Sequence, residues 1–553
     1  MNYRHQPVTM PRFSIVIPTL RRPDTLQHAL ATAILQSYED FEIVIQNNGA
    51  DRETEALLHD LDDAHVRHFA SETVLPMTEN WEAALANASG EFITFIGDDD
   101  GLFPDACRSA ADIFDRTGAE IVNWHPYCYY WPNYLRPELR NRLIATVDFD
   151  CRIQVVSSQD QLEKFYRFAI DYSRLPMIYN SFVRRSVIER VKTALGRYFL
   201  GLNPDATSGI ANAAHTPHFA HVSRPLSMTG LSGHSTGHNT FFSGRAQASA
   251  DRVRRDFGAF QFDDRLVAID NLQIYLANDM LLLRDRIPSM RDRIQFDFYR
   301  LIQSIAATIN DRPDFYDDTL AAIRNLAERH DVDLSHIAIP ARLAKRSSLE
   351  CGTTTVGHDR VQHVIDGNAV SLSNINDAIR LMQQFMPPVV DMRAIEVRDT
   401  RGHSKTVVQR GETVAFKIGD DGVLGLLDGW GEPENWGTWS ISKRARLRLS
   451  IAKAGNGPVD LDLQYRAFVH EKHTHLDIAC SVGEQAVATW RCTVAAPMGT
   501  RRLTIPAAAV PADGIIDLAF SISEPCSPAE LGVSSDGRLL GIGIETLSFR
   551  QTD

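Results

Sequence analysis

Residues 92–104 read FITFIGDDDGLFP, and the rest of the chain is organised around them. Phe92 to Ile96 is an apolar, β-prone run of strand length that Gly97 ends. Asp98, Asp99 and Asp100 follow without a break, and Gly101 turns the chain. Pro104 stands where a first helical residue would, opening a helix through Phe114 that Gly118 closes. A buried strand that delivers acidic side chains to its carboxyl end places them where open α/β sheets bind ligands. Three adjacent carboxylates repel one another. A hard divalent cation removes that repulsion by taking oxygens from carboxylates and phosphates together. The stretch therefore reads as a metal–diphosphate site. Acidic runs in loops are often merely solvated, but the strand before and the proline-started helix after set this one apart. A calcium loop of the EF-hand kind needs alternate-position oxygens and a terminal Glu that DDDGLFPDA lacks.

Working outward, Phe13–Ile17 is a strand halted by Pro18. Asp24 is placed to cap the next helix, with Gln27 three residues on completing a capping box. Phe41–Ile45 is a second strand, followed by the polar turn Gln46-Asn47-Asn48-Gly49. A helix from about Glu53 to Leu61, a strand near Val66–Phe69 and a helix from Thr78 to Ala88 lead into the acidic strand, and Glu120–Trp124 is the strand after it. Strands alternating with helices at this spacing make a mostly parallel sheet with helices on both faces. No GxGxxG follows the first strand, which argues against a dinucleotide cofactor.

Composition narrows the class. A chain of 553 residues is expected to hold two to four domains. With 57 basic and 70 acidic residues, a net charge of −13 and no long basic block, nucleic acid is not the expected partner. Seven scattered cysteines without a CxxC pair fit reduced thiols in a cytoplasm. The amino-terminal apolar stretch is too short for a signal peptide, and nowhere do about 18 apolar residues run together. The expectation is a cytoplasmic protein, with room for peripheral membrane contact.

FSIVIPTLRRPDTLQHALATAILQSYEDFEIVIQNNGADRET (13–54) and NWEAALANASGEFITFIGDDDGLFP (80–104) together resemble the family 2 glycosyltransferases, inverting enzymes of the GT-A fold. The resemblance is strong over residues 12–125 and weaker to about 240. It implies that Pro18 and Thr19 end the first strand beside the donor nucleotide. It makes Asp98 to Asp100 the metal-binding DxD motif, with Asp98 and Asp99 touching the donor and Asp98 and Asp100 holding Mn²⁺ or Mg²⁺. The family's base-holding Asp-Asp is here Asn47-Asn48. An amide still hydrogen-bonds a base edge, but offers donors as well as acceptors. A UDP-sugar is the favoured donor.

The resemblance also implies a catalytic base about a hundred residues beyond the DxD, and Asp205 in GLNPDATSGIANAAH is the candidate. The alternative is that Asp205 caps the helix from Ala206 to Ala214. His215, His218, His221, His234 and His238 follow closely. Their spacing resembles a zinc site, but there is no partnering Cys or HExxH, and the alternation in PHFAHVSRPLS reads as a strand. Some GT-A enzymes recruit a late histidine as an extra metal ligand. The turn Gly230–Gly237 offers His234 or His238 for that, or else is a plain lid.

Residues 241–345 carry helical periodicity, with stripes such as Phe296, Tyr299 and Ile302 reading as core. Ser347–Ser373 is polar and unassigned, Ile375–Met386 is a short helix, and Pro387-Pro388 is the clearest linker signal. From about 393 to 553 the pattern is alternation with frequent turns, an all-β sandwich or jelly roll. Its segment DGWGEPENWGTWS brings Trp430, Trp436 and Trp439 together, either to stack on sugar rings or to plug one end of the sandwich. The expected division is a GT-A domain over 1–240, a helical appendage and connector over 241–386, and a carbohydrate-binding-like β-domain over 387–553.

The expected function is metal-dependent, inverting transfer of a sugar from a nucleotide-diphosphate donor to a glycan or glycoconjugate hydroxyl, in bacterial surface-polysaccharide assembly as the family's habits imply. Self-association remains open. Two rivals stand: a non-catalytic sugar- or nucleotide-binding protein on a transferase fold, which Asn47-Asn48 keeps alive, and a nucleotidyltransferase. The latter needs a Gly-rich basic loop after the first strand, and LRRPDT has the arginines without the glycines.

Overall fold

Every residue of β1 (Phe13–Thr19) and of β2 (Phe41–Asn47) is buried, so the sheet they form must be covered on both faces. The computed structural model describes residues 10–148, 151–235, 262–344, 350–356, 360–386, 392, 395, 397–399, 407–408, 411–418, 420–427, 429–431, 433–451, 457–483, 485–511, 514–534 and 536–550. The further strands of the first part are β3 (Val66–Ala70), β4 (Phe92–Phe95), β5 (Gly101–Leu102), β6 (Ile121–Trp124), β7 (Tyr127–Tyr130), β8 (Arg142–Asp148), β9 (Ile153–Ser157), β10 (Ser181–Arg184), β11 (His218–Val222), β12 (Ser227–Leu231), β13 (Gly352–Val356), β14 (Arg360–Asp366) and β15 (Val397–Asp399). A nine-stranded sheet runs β15-β9-β11-β6-β10-β4-β1-β2-β3, and a six-stranded sheet runs β13-β14-β8-β7-β12-β5. In the larger sheet β1 pairs in parallel with β2 and β4, and β10 enters antiparallel between β4 and β6.

Alternation along the strands sorts the helices. Ile15, Ile17, Ile43 and Ile45 share one core with α1 (Pro23–Ile34) and α4 (Ala106–Thr117). Val16, Val44, Ile93 and Phe95 face the other, under α3 (Met77–Asn87), α5 (Ser158–Tyr166), α6 (Arg185–Leu195) and α7 (Pro204–Ala214). The helix α2 (Arg52–His59) closes the β2–β3 crossover. This is the expected doubly covered, mostly parallel architecture.

Local details differ from expectation. The helix α1 opens at Pro23, with Arg22 at the cap position, so Asp24 lies inside the first turn and caps nothing; the Gln27 amide donates to the Asp24 carbonyl instead of completing a capping box. A proline at the first helical position needs no capped N–H, and that displaces the box. The helix expected from Pro104 begins at Ala106 and ends, as expected, at Gly118 in the left-handed conformation.

The helical segment holds α8 (Leu272–Arg286), α9 (Pro288–Arg293), α10 (Phe298–Ala307) and α11 (Tyr316–Arg329). Helix α8 has no polar face because it is shared: Met280 and Leu283 pack into the sheet's core, whereas Ile274, Ala277 and Leu281 pack against α10 and α11. Residues 352–366, unassigned from sequence, form a hairpin that extends β8. Helix α12 (Ile375–Phe385) then packs over β5 and the acidic loop. Pro387-Pro388 lies outside the described residues, but beyond it Met392 and Ile395 are buried in the first core and β15 pairs with β9. The polypeptide thus returns to the nine-stranded sheet before it leaves for the β-part.

There, β16 (Val407–Val408), β19 (Arg444–Ile451), β24 (Ile515–Ile522), β21 (His475–Val482) and β22 (Gln485–Thr493) make one five-stranded sheet. The other has β17 (Thr413–Ala415), β25 (Ile542–Phe549), β20 (Val459–Ala467), β23 (Met498–Ile505) and β18 (Thr438–Trp439). Leu447, Leu518 and Ile478 of the first share a core with Leu461, Leu503 and Leu547 of the second. Two facing sheets with one core match the alternation read from sequence.

Candidate active site

β1 and β4 run side by side, so the residues just past their carboxyl ends meet. The Thr19 hydroxyl donates to Asp98 Oδ2 at 2.7 Å, and Arg22 Nη1 donates to Asp98 Oδ1 at 3.1 Å. The turn closes on itself, with Gly97 N donating to Asp100 Oδ2 at 2.6 Å. From the second sheet, Gly230 N donates to Asp100 Oδ1 at 2.7 Å and Trp131 Nε1 donates to the Asp99 carbonyl at 3.0 Å. Asp98, Asp99 and Asp100 are 2%, 6% and 6% exposed, so the triple is not a solvated loop.

The three carboxylates divide their work. Asp99 turns away, its Oδ2 accepting from the hydroxyls of Ser232 (2.7 Å) and Ser235 (2.5 Å) and from Ser232 N. That oxygen thus anchors the chain just past β12, which leaves the donor contact expected of Asp99 to its other oxygen. Burial holds the Asp98 carboxyl above its ordinary range, with Arg22 opposing and Asp99 adding to the rise. Asp100 is pushed up to about 8 by burial first and the Asp99 charge second, against the N–H groups of Gly230 and Gly97. A buried, mutually repelling pair of oxygen ligands is the donor set a hard cation relieves. No group of three or more His, Cys, Asp or Glu among the described residues converges on a metal. Asp98 and Asp100 fit instead the pattern of one or two carboxylates plus substrate phosphates.

Gly230 is required by close approach. A Cβ there would lie 1.7 Å from the Asp99 carbonyl oxygen. Gly230→Ala is expected to push the acidic loop off β12 and to lower transfer by about 100-fold or more, the usual cost of a misplacement of about 1 Å. Turnover measured beside the melting temperature checks this; unchanged turnover would mean that the loop's position does not matter.

Asp205 lies in the first turn of α7, behind Asn203 at the cap position and Pro204, so it is not the helix cap. Burial holds its carboxyl above the ordinary range. Tyr179, stacked on Trp81 at 4.9 Å, has its hydroxyl raised by burial and then by the charges of Asp100, Asp205, Asp98 and Asp99. One turn on from Asp205, the Ser208 hydroxyl accepts from Ile178 N at 3.1 Å, and the Ile178 carbonyl accepts from Thr94 of β4 at 3.2 Å, so the first turn of α7 packs beside the strand that carries the acidic loop.

The loop before Asp205 is held by a residue that sequence reading missed. Asp279, fully buried on α8, accepts from Leu202 N (2.9 Å), Asn203 N (2.7 Å) and Asn203 Nδ2 (2.8 Å). Gly201, at φ +67°, leaves room for it, since a Cβ there would meet Asp279 Oδ1 at 2.2 Å. The available signal was an Asp in step with Leu276 and Leu283 on an otherwise apolar helix.

The other expected residues are less involved. Pro18 pairs with Gln46 and Thr19 with Asn47 at the strand ends. Asn47 faces the chain: its Nδ2 donates to the Asp51 carbonyl and to Glu55, and its Oδ1 accepts from Asp51 N. Asn48 ties Leu75 through both amide atoms and accepts from the Ser71 hydroxyl. His234 is exposed, and His238 lies outside the described residues. His218 and His221 lie on β11 inside the sheet, where His221 Nδ1 is 2.7 Å from Asn123 Oδ1, while His215 Nδ1 is 2.8 Å from the Ala211 carbonyl.

Comparison with known proteins bears on this geometry. The family model described as Glycosyl transferase family 2 matches residues 14–190. A GalNAc(5)-diNAcBac-PP-undecaprenol beta-1,3-glucosyltransferase of Campylobacter jejuni is 31% identical over 100 residues, which is 18% of this chain and spans only 32% of that enzyme. Among solved structures, Staphylococcus aureus TarS 1–349 is 14% identical with a TM-score of 0.32, covering 58% of this chain and 91% of that one. A mannosyltransferase from Pyrobaculum calidifontis in complex with GDP-Man and Mn²⁺ is 14% identical with a TM-score of 0.30, covering 59% and 88%. Residues 14–190 thus carry a domain that matches glycosyl transferase family 2, built on the doubly covered, mostly parallel sheet described above.

Proposed function

We propose that this chain transfers a sugar from a nucleotide-diphosphate donor, a UDP-sugar by preference, to a hydroxyl of a glycan or glycoconjugate, with inversion at the anomeric carbon. The observation that carries the reading is the buried Asp98–Asp100 pair at the carboxyl ends of β1 and β4, with the first turn of α7, which bears Asp205, packed beside β4. Asp98 and Asp100 would hold a divalent cation, which when bound neutralises the leaving diphosphate as a Lewis acid. Thr19 and Gly230 orient the two carboxylates. Asp205 accepts the proton of the attacking hydroxyl as that oxygen bonds to the anomeric carbon and the bond to the diphosphate breaks. Burial holds the Asp205 carboxyl above the ordinary range, the direction that makes a carboxylate a stronger base. The turn after β2, which Asn47 and Asn48 brace through their amides, would flank the donor's nucleobase. The Campylobacter relative is named for a lipid-diphosphate-linked glycan, which supports an acceptor from surface-glycan assembly.

A thermal-shift screen of nucleotide-sugars with and without Mn²⁺ tests the reading, because a ligand at about 100 times its Kd adds about 2.7 kcal/mol of stability. The expected result is a shift with one donor that requires Mn²⁺; no shift with any donor would overturn it. Asp205→Asn is expected to lower turnover by roughly 100-fold with donor affinity little changed. A fall in stability alone would place the base elsewhere.

A further inference from the structure

We infer that Arg22 is a built-in counter-cation of the acidic loop, bonded to Asp98 in the donor-free protein and passed to the donor's diphosphate when donor and divalent cation bind. The inference rests on the reading of the loop as a metal–diphosphate site. Of two adjacent arginines, Arg21 is exposed and takes a left-handed backbone (φ +55°) that sends the chain sharply round, while Arg22 points inward. The Arg22 side chain is 17% exposed and that of Asp98 only 3%, so the pair is largely shielded from solvent. Its backbone is pinned, the Arg22 carbonyl accepting from Leu26 N at 3.0 Å and from the Thr25 hydroxyl at 3.3 Å. Arg22 therefore stands immediately before α1, where the loop after the first strand faces the acidic turn.

The geometry sets up a competition. Arg22 Nη1 sits on Asp98 Oδ1, one of the oxygens a cation would take, whereas among the described residues Asp100 is met by the backbone N–H groups of Gly97 and Gly230. A divalent ion arriving alone must displace the guanidinium or lie beside it, and in a shielded site two positive charges repel strongly. A diphosphate changes the balance. It brings negative oxygens that a planar guanidinium binds in pairs, so Arg22 gains a new partner as it leaves Asp98. Arg22 thereby couples the two ligands: each binds better when the other is present.

The test is equilibrium binding in the full chain, independent of turnover. Free Mn²⁺ is read by electron paramagnetic resonance without nucleotide, and UDP and GDP are titrated with Mn²⁺ present, the tighter nucleotide being used throughout. Arg22→Met is expected to bind Mn²⁺ alone about 10-fold more tightly and, with Mn²⁺ present, to bind the nucleotide about 10-fold more weakly, so that each ligand helps the other less than in the wild type. Arg22→Lys keeps the charge and loses the fork. It is expected to leave Mn²⁺ binding within about twofold and to weaken nucleotide binding by about 3- to 10-fold, which holds the test open should Arg22→Met fold poorly. Mn²⁺ binding that is unchanged or weaker in Arg22→Met, or nucleotide binding at the wild-type level in Arg22→Lys, would make Arg22 only a brace for Asp98 and overturn the inference. Wild-type protein that binds neither Mn²⁺ nor nucleotide overturns the metal–diphosphate reading as well, so the two failures are distinguishable.

Discussion

Asp100→Asn is expected to lower transfer by about a thousandfold or more and to abolish Mn²⁺-dependent donor binding, in a protein that stays folded. The size follows from losing a ligand that stabilises developing charge, worth several kcal/mol of barrier. The substitution also has a local cost. Both Asp100 oxygens accept backbone N–H groups, from Gly97 and from Gly230. An amide keeps one acceptor and turns an NH₂ towards the other donor, costing roughly 1–3 kcal/mol of stability. Turnover, Mn²⁺ titration and melting temperature together separate the two effects. Near-normal turnover in Mn²⁺ would remove the metal site from this loop.

Trp430→Ala is expected to destabilise the β-part by about 3–5 kcal/mol, so that it melts before the rest of the chain. Trp430 is fully buried, donates through Nε1 to the Arg446 carbonyl at 2.7 Å and meets Phe520 edge-on at 5.7 Å. Its own carbonyl accepts from Gln303 Nε2 at 2.6 Å and Arg300 Nη1 at 3.1 Å, and Arg300 Nη2 also donates to the carbonyls of Leu426 and Leu427. The residue is therefore both plug and dock, and its loss should loosen the contact with α10 as well. Trp436 and Trp439 differ: they are half-buried, 5.0 Å apart and edge-on, with the Arg466 guanidinium 3.8 Å over Trp436. Their replacement by Ala is expected to move the melting temperature much less, and any glycan-stacking role in this loop falls to them. Differential scanning calorimetry of the three single variants, read beside glycan titration, decides. A Trp430→Ala protein with an unchanged first transition would show that the β-part does not depend on that ring.

The acidic loop was legible because its cause is local. Five strand-forming residues, a glycine and a proline-led helix say where the carboxylates go, and β1 and β2 declared themselves by the same apolar runs. Asp205 was legible as a candidate only through its distance from the loop in a resembling family. Its freedom from a capping role depends on Pro204 starting the helix. The capping box at Asp24 and Gln27 failed for the same reason: at Pro23 a local rule about proline outranked a local rule about side chains.

What the sequence by itself determined is the alternation that builds a doubly covered sheet, the place of Asp98 to Asp100 at its carboxyl end, and the two-sheet character of the last 150 or so residues. Those follow from periodicity and turn chemistry, which act over a few residues. What only the tertiary structure decided is who holds the loop. Gly230 and Ser232 reach Asp100 and Asp99 across 130 and 133 residues, and Asp279 reaches Leu202 across 77. The hairpin of β13 and β14 and the return of β15 were likewise hidden, because polar edge strands gain their order from a neighbour rather than from their own pattern. A buried carboxylate needs donors from wherever the fold can bring them, and that demand leaves no periodic mark on the chain that supplies them.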